Sequence, residues 1–213
     1  MSPRQRRLTA RIGFPALLIL AGLAAYFCSP SLRLPANASQ LRSLSGLQRV
    51  DAHRYDQEWF DAARVGRVDI LGALYDAHYP LDAKTHAGYT ALILAAYDEQ
   101  PAALDYLLQA GADPCVGDRN GNTALMGALY KGELPIARRL LKTQCPIDQM
   151  NNAGETALSF AALFGRLEIL PELLALGADP NHVDARGDTP LVIARKQGND
   201  EAAAALRKVG ATH

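Results

Sequence analysis

Gly88, Gly121, Gly154 and Gly187 are evenly spaced along the chain, and several other positions keep the same interval of thirty-three. Thr90, Thr123, Thr156 and Thr189 follow it, as do Leu92, Leu125, Leu158 and Leu191, then Ala95, Ala128, Ala161 and Ala194, and further along Leu107, Leu140, Leu173 and Leu206. A period of this length without insertion confines the chain to a stack of supersecondary units, because one unit alone has no second layer against which to bury its apolar stripe. Each unit reads as two short helices. A turn residue and a glycine open it, the glycine accepting the positive φ that such turns need, and the threonine hydroxyl is placed to cap the helix that follows. Leucine and alanine then recur at helical spacing over two turns, and Gly132, Gly165 and Gly198 end that first helix. The second helix carries the pairs Leu107-Leu108, Leu140-Leu141 and Leu173-Leu174, with Gly111-Ala112-Asp113 and Gly177-Ala178-Asp179 as closing segments.

The openings of the units are GYTALILAA at 88–96, GNTALMGAL at 121–129, GETALSFAA at 154–162 and GDTPLVIAR at 187–195. They resemble the G-x-T-P-L-H-x-A-A of ankyrin repeats, with proline kept only in the last and the histidine in none. The resemblance covers residues 55–213. It implies an all-α repeat solenoid, an ankyrin-repeat stack of helix-turn-helix units joined by β-turn or hairpin loops. Full units are expected at about 85–117, 118–150 and 151–183, with an N-terminal cap unit at about 55–84 and a C-terminal cap unit at 184–213. The first of these keeps Ala62, Gly66 and Leu74 in register but has Gln57 where threonine would stand, which suits a cap with no preceding neighbour. At the other end Leu206-Arg207-Lys208 puts charge where a leucine pair stood, as a solvated end requires.

Ahead of the stack the composition changes. Residues 1–38 hold Arg4, Arg6, Arg7, Arg11 and Arg33 and no acid, and the seventeen residues from Ile12 to Cys28 carry no charge. A cationic stretch before an apolar run is the pattern of an export signal or a signal anchor. As a helix the run would reach about 25 Å, somewhat short of the ~30 Å hydrocarbon core. It shows no polar face, unlike the core helix of a soluble domain. Ala36-Asn37-Ala38 before Ser39 offers an A-x-A cleavage site. The expectation is a preceding hydrophobic helix at 12–28 within a signal anchor or signal peptide at 1–38. The asymmetry of arginines places its N-terminus in the cytoplasm. The remainder would then lie on the periplasmic side of a bacterial inner membrane, held by a single-pass anchor through 12–28, or be periplasmic after cleavage. Residues 39–54 read as a linker or a short capping helix, since Leu41, Leu44, Leu47 and Val50 recur every third residue among Ser39, Ser43, Ser45 and Gly46.

Setting residues 1–38 aside leaves 17 basic against 22 acidic residues, a net charge of −5. Such a body offers little to a phosphate backbone, so no nucleic-acid partner is expected. His53, His78, His86, His182 and His213 form no HExxH pair, and no CxxC cluster, GxSxG elbow, phosphate loop or GxGxxG occurs. No catalytic residue, metal, cofactor or small-molecule substrate is therefore expected, and the chain does not read as an enzyme. Asp113, Asp118, Asp179 and Asp184 look like paired carboxylates but fall at repeat-closing and turn-opening positions, where aspartate bonds local backbone N–H groups. Cys145 takes the small slot of Ala112 and Ala178, and Cys115 lies three positions further along the preceding unit. Successive ankyrin repeats stack about 10 Å apart, beyond the usual Cα separation of a disulfide, which makes two packed thiols the expectation.

What remains is surface. By the resemblance, partners bind a concave face made of turn tips and the exposed positions of the first helices. The tip residues are Tyr89, Asn122, Glu155 and Asp188, and the late helical positions are Tyr97-Asp98, Tyr130-Lys131, Leu163-Phe164 and Lys196-Gln197. Tyr97, Tyr130 and Leu163-Phe164 form either an anchor patch, since aromatic residues dominate hot spots, or a row of rings packed against the neighbouring turns. Asp98, Glu155 and Asp188 toward the rim would suit a partner of basic character. The resemblance implies a non-catalytic protein-interaction module. An exported scaffold or accessory factor for an envelope or periplasmic protein is expected, with an enzyme such as a catalase among the clients. The alternative is an immunity-type inhibitor of a toxin or effector in the same compartment.

Overall fold

Successive first helices, each about two turns long, lie side by side and make one layer, and their partner helices make a second. This arrangement is seen in a computed structural model that describes residues 52–212. The expected hydrophobic helix at 12–28 and nearly all of the 39–54 segment lie outside the described residues. Among the described residues there are ten α-helices and no strand, and no helix is long and apolar enough to cross a membrane. A 3₁₀ turn at Ala52–Tyr55 leads into five helix pairs: α1 (Asp56–Arg64) with α2 (Val68–Asp76), α3 (Ala91–Tyr97) with α4 (Pro101–Ala110), α5 (Ala124–Lys131) with α6 (Leu134–Leu140), α7 (Ala157–Leu163) with α8 (Leu170–Ala175), and α9 (Pro190–Lys196) with α10 (Asp200–Lys208).

The threonines act as the sequence demands. Thr90, Thr123, Thr156 and Thr189 are extended N-caps of α3, α5, α7 and α9, and each Oγ1 accepts a hydrogen bond from the backbone N–H three residues on, at 3.2–3.4 Å. In the first pair α1 has already begun at Asp56, so Gln57, in the threonine register, sits inside a helix and caps nothing.

Alanine sets how closely the first helices approach. Ala62, Ala95, Ala128, Ala161 and Ala194 are all buried where α1, α3, α5, α7 and α9 meet. In α3 and α7 six consecutive residues, Ala91–Ala96 and Ala157–Ala162, are buried, since these helices have neighbours on nearly every side. Leu107, Leu140, Leu173 and Leu206 fill the space between each first helix and its partner. Helices of seven or eight residues would be marginal alone, so packing and caps hold them rather than propensity.

Between the two helices of a pair the chain reverses through a left-handed residue. Gly66, Gly132, Gly165 and Gly198 supply it with φ of 65–88°, but in the second pair the position is Glu99 at φ 54°. A side chain there costs about 1 kcal/mol relative to glycine. Glu99 also helps, after burial, to raise the pKa of the Glu133 carboxyl in the next repeat. Glu99→Gly relieves both the backbone strain and the like charge. It should raise the unfolding free energy by about 1 kcal/mol, read as a higher urea midpoint at unchanged slope.

Candidate protein-binding surface

Every turn tip is built on one side-chain acceptor. In the tips opening the second to fifth repeats, the N–H of Thr85, Asp118, Asn151 and Asp184 bonds the carbonyl four residues on, and the glycine N–H bonds back to that first residue. The same first residue turns its side-chain oxygen inward. Asp118 Oδ1 accepts from Asn120 and Asn122 N–H, Asn151 Oδ1 from Ala153 and Glu155 N–H, and Asp184 Oδ1 from Arg186 and Asp188 N–H, all at 2.8–2.9 Å. Successive tips are then joined through the backbone: Arg119 N–H donates to Ala87 O, Asn152 to Asn120 O and Ala185 to Ala153 O. One such bond per junction makes a row of linked turns rather than a sheet. Asp113 and Asp179 likewise hold the N–H groups of Cys115 and Asn181, the local backbone role the sequence suggested.

The rings form a ladder along the first helices. Tyr97 and Tyr130 stack with centroids 5.8 Å apart, Phe164 meets the edge of Tyr130 at 5.0 Å, and Phe160 lies 5.8 Å from Phe164. Packing and exposure thus coexist: Tyr97, Leu163 and Phe164 are half-buried, while Tyr130 remains 46% exposed. Phe164 carries the ladder where the register of Tyr97 and Tyr130 supplies only Leu163. Burial, with Tyr130 beside it, pushes the Tyr97 phenol pKa up. Lys131 lies 4.6 Å above the Tyr97 ring, within cation–π range.

A hollow opens between ladder and tips, walled by Tyr89, Ile93, Tyr97, Met126, Tyr130 and Phe160 and floored by Gly127. It continues past Asn120 and Asn122 to Asn151 and Glu155, so the face is a trough rather than an isolated pocket. Gly127 explains the hollow. Its register mates are Leu94, Phe160 and Ile193, all buried, whereas here the side chain is missing from the middle of α5. Gly127 does not have a positive φ, and a Cβ would meet only Tyr97 Cδ2, at 3.9 Å. Neither backbone nor packing demands glycine. The trough residues Gly127, Met126, Asn120 and Asn151 were not among the expected site residues, although laying the four repeats in register already displays the odd glycine.

The rim acids are already paired within the chain. Asp98 meets Arg64 at 3.4 Å, Glu155 meets Arg186 at 2.7 Å and Asp188 meets Lys196 at 2.7 Å. Intrachain guanidinium and ammonium groups thus already face the carboxylates that the sequence offered to a basic partner. Lys131 forms no ion pair among the described residues and is exposed beside the hollow.

Cys115 and Cys145 are bonded, with Cα atoms 5.4 Å apart, and this corrects the expectation of two free thiols. The wider stacking distance holds only for equivalent positions of successive repeats. These two are not equivalent, being 30 apart in sequence, and the segment leaving each second helix leans onto the next repeat, where Asp82 reaches Asp113 N–H from 31 positions away. Asp113 lies within 4.8 Å of both sulfurs, yet sulfurs bonded to each other have no thiolate to offer a metal.

Helix pairs stacked through alanine contacts, with linked tips and an open aromatic trough, define a helical repeat solenoid suited to recognition. Residues 59–151 match a family model for ankyrin repeats in three copies, and residues 140–194 match a second for ankyrin repeats in many copies. The chain belongs to the ankyrin-repeat family, whose members generally act as non-catalytic modules binding other proteins.

Two stability predictions follow from this geometry. Gly127→Ala should stabilise the fold by about 0.5–1 kcal/mol, because alanine is the better residue inside a helix and its methyl has room. Asp184→Ala should cost roughly 2 kcal/mol by leaving two N–H groups without an acceptor, whereas Asp184→Asn, which copies Asn151, should cost much less. Burial alone would raise the Asp184 pKa, but the Asp188 and Arg186 N–H groups and the Arg186 guanidinium outweigh it and hold the pKa below the usual carboxylate value. A pKa depressed by folding stabilises above the unfolded value and is lost as pH falls through the folded one. The acid side of the stability–pH curve, below about pH 4, should therefore be shallower in Asp184→Asn than in the parent.

Proposed function

We propose that this chain is an exported ankyrin-repeat scaffold that binds another protein of the bacterial envelope or periplasm through the trough between turn tips and first helices. The observation that carries the reading is the hollow over Gly127. It is a largely apolar space open to solvent, with rings on its helix side and Asp118, Asn120 and Asn122 on its tip side, created by a helix-weakening glycine that the fold itself does not require. An incoming apolar side chain from the partner would fill it, with Tyr97, Tyr130 and Phe164 supplying rigid contact area around it. The trough runs across several repeats and has the form of a recognition groove for a polypeptide rather than of an enclosed small-molecule site.

Export is supported by two independent features. The arginines and the uncharged run at 12–28 have the form of a signal anchor or signal peptide. The Cys115–Cys145 bond is of the kind that persists in oxidising compartments. On this reading the repeats sit on the periplasmic side of the inner membrane, anchored through 12–28 or released by cleavage near Ala38. Their client is a resident protein of that compartment, such as a catalase.

The test is a crosslinked pulldown of the full chain from envelope fractions, run beside Gly127→Leu and the Tyr97→Ala/Tyr130→Ala/Phe164→Ala triple variant, with helicity measured for each. One stoichiometric envelope partner should be captured by the parent and lost with folded Gly127→Leu. Capture undiminished by folded variants would place the interface elsewhere. Recovery of the intact chain as a soluble cytoplasmic protein would refute the exported reading, and capture of a delivered toxin would replace the scaffold by an immunity-type inhibitor.

A further inference from the structure

Residues 82, 115, 148 and 181 share one register, as do 113, 146, 179 and 212, and at three of the four junctions the two sets are joined by the same hydrogen bond. Asp82 Oδ1 accepts Asp113 N–H at 3.1 Å, Asp148 Oδ1 accepts Asp179 N–H at 3.1 Å, and Asn181 Oδ1 accepts Thr212 N–H at 2.9 Å. Each is a carboxylate or amide of one repeat clamping the backbone of the next. The junction between the second and third repeats has neither half of this clamp. Cys115 stands in place of the acceptor, and Pro146 has no N–H to donate.

The third repeat also lacks the helix ending of its siblings. After α2, α4, α8 and α10 the chain turns through a left-handed His78, Gly111, Gly177 or Gly210, and the next N–H bonds back to Leu74, Leu107, Leu173 or Leu206 O at 2.9–3.1 Å. After α6 the corresponding residue is Gln144, which has no positive φ, and Leu140 O is taken instead by Thr143, through its N–H at 3.0 Å and its hydroxyl at 2.7 Å. Packing is looser here as well. A cavity of about 30 Å³ lies under the segment, lined by Leu125, Leu140, Thr143, Cys145, Pro146 and Gln149 among others. Leu125 is half-buried, where its register mates Leu92 and Leu158 are 1% and 0% exposed.

We infer that the Cys115–Cys145 bond is a redox latch, a covalent replacement for the missing clamp whose reduction releases residues 141–150 while the remaining repeats stay folded. Toward the second repeat, the hydrogen bond left at the latch runs from Gln149 Nε2 to Cys115 O at 2.7 Å; the segment otherwise keeps the Asp148 clamp on Asp179 N–H at 3.1 Å and the partial burial of Leu141, Cys145 and Ile147. The chemistry requires a dithiol reductant. One of its thiolates attacks a sulfur of the bridge to form a mixed disulfide, and its second thiol displaces the protein sulfur. Two electrons and two protons end on Cys115 and Cys145, and the reductant leaves as its own disulfide. Both cysteines are half-exposed, which gives the attacking thiolate access. The latch joins the repeats that carry Tyr97 and Tyr130, but the inference does not depend on what binds there.

The test begins with the native full chain, so it does not depend on a variant folding. Hydrogen exchange and thermal unfolding are compared with and without excess dithiothreitol. Reduction should accelerate exchange at 141–150 selectively, leave α7 and α9 protected, and lower Tm by about 5–10 °C. The triple variant Cys115→Asp/Cys145→Ala/Pro146→Ala rebuilds the acceptor and its N–H donor. It should recover part of that loss relative to Cys115→Ala/Cys145→Ala and be indifferent to dithiothreitol. Equal Tm and exchange in both redox states would overturn the latch. So would a uniform rise in exchange across all helices, which would mark the bridge as a general staple, and so would two free thiols in protein prepared without reductant.

Discussion

Close approach of the first helices at Ala62, Ala95, Ala128, Ala161 and Ala194 fixes the distance from repeat to repeat, and the other inter-repeat bonds exist only at that distance. A larger side chain at these points would separate the repeats. The backbone bonds that join one tip to the next would then fall out of reach, and so would the side-chain clamps between closing segments. The stack is held along two lines, by tips on one side and closing segments on the other, with the alanine layer setting the spacing for both. Its stability is accordingly local, a sum over junctions, and a weak junction is felt as looseness there rather than as global instability.

Much of this was legible without coordinates because the period exposes it. Threonine caps, left-handed glycines, buried leucines and the loss of the tip in the first repeat all follow from a residue's place in the repeat register. The disulfide was not legible on the same reasoning. Equivalent positions are one repeat apart, but the chain advances toward its neighbour within each repeat, so positions offset by two or three residues meet. Cys115 and Cys145 are such a pair, and Asp82 with Asp113 is another.

The charges of the trough illustrate a second limit. Asp98, Glu155 and Asp188 are acids of the rim by register, but their partners Arg64, Arg186 and Lys196 share no common sequence offset from them. Repeat periodicity locates the backbone and says nothing of how long side chains pair across it. With those acids paired inside the chain, the proposed recognition would rest on shape and on rings, with Lys131 exposed beside the hollow. The exposed ion pairs themselves add little stability, typically below about 1 kcal/mol each.

His78, left-handed where most sibling repeats place glycine, is a departure from the repeat pattern in the first repeat, but three others lie close together. Glu99 in a glycine position, Gly127 where the sibling repeats place a large apolar side chain, and Cys115 with Pro146 in the clamp positions all fall between residues 99 and 146, in the second and third repeats. At Glu99 and Gly127 the local choice costs stability that the sibling repeats show how to recover, and at the clamp a bond requiring oxidation replaces one that does not. A stack selected for stability alone would have no reason to keep three such exceptions at neighbouring places. Their common location coincides with the stacked Tyr97 and Tyr130 and the hollow between them. Conflict between local preference and global fold tends to concentrate where a surface serves something besides folding. On that ground the proposed recognition surface is centred on the second and third repeats rather than on the stack as a whole.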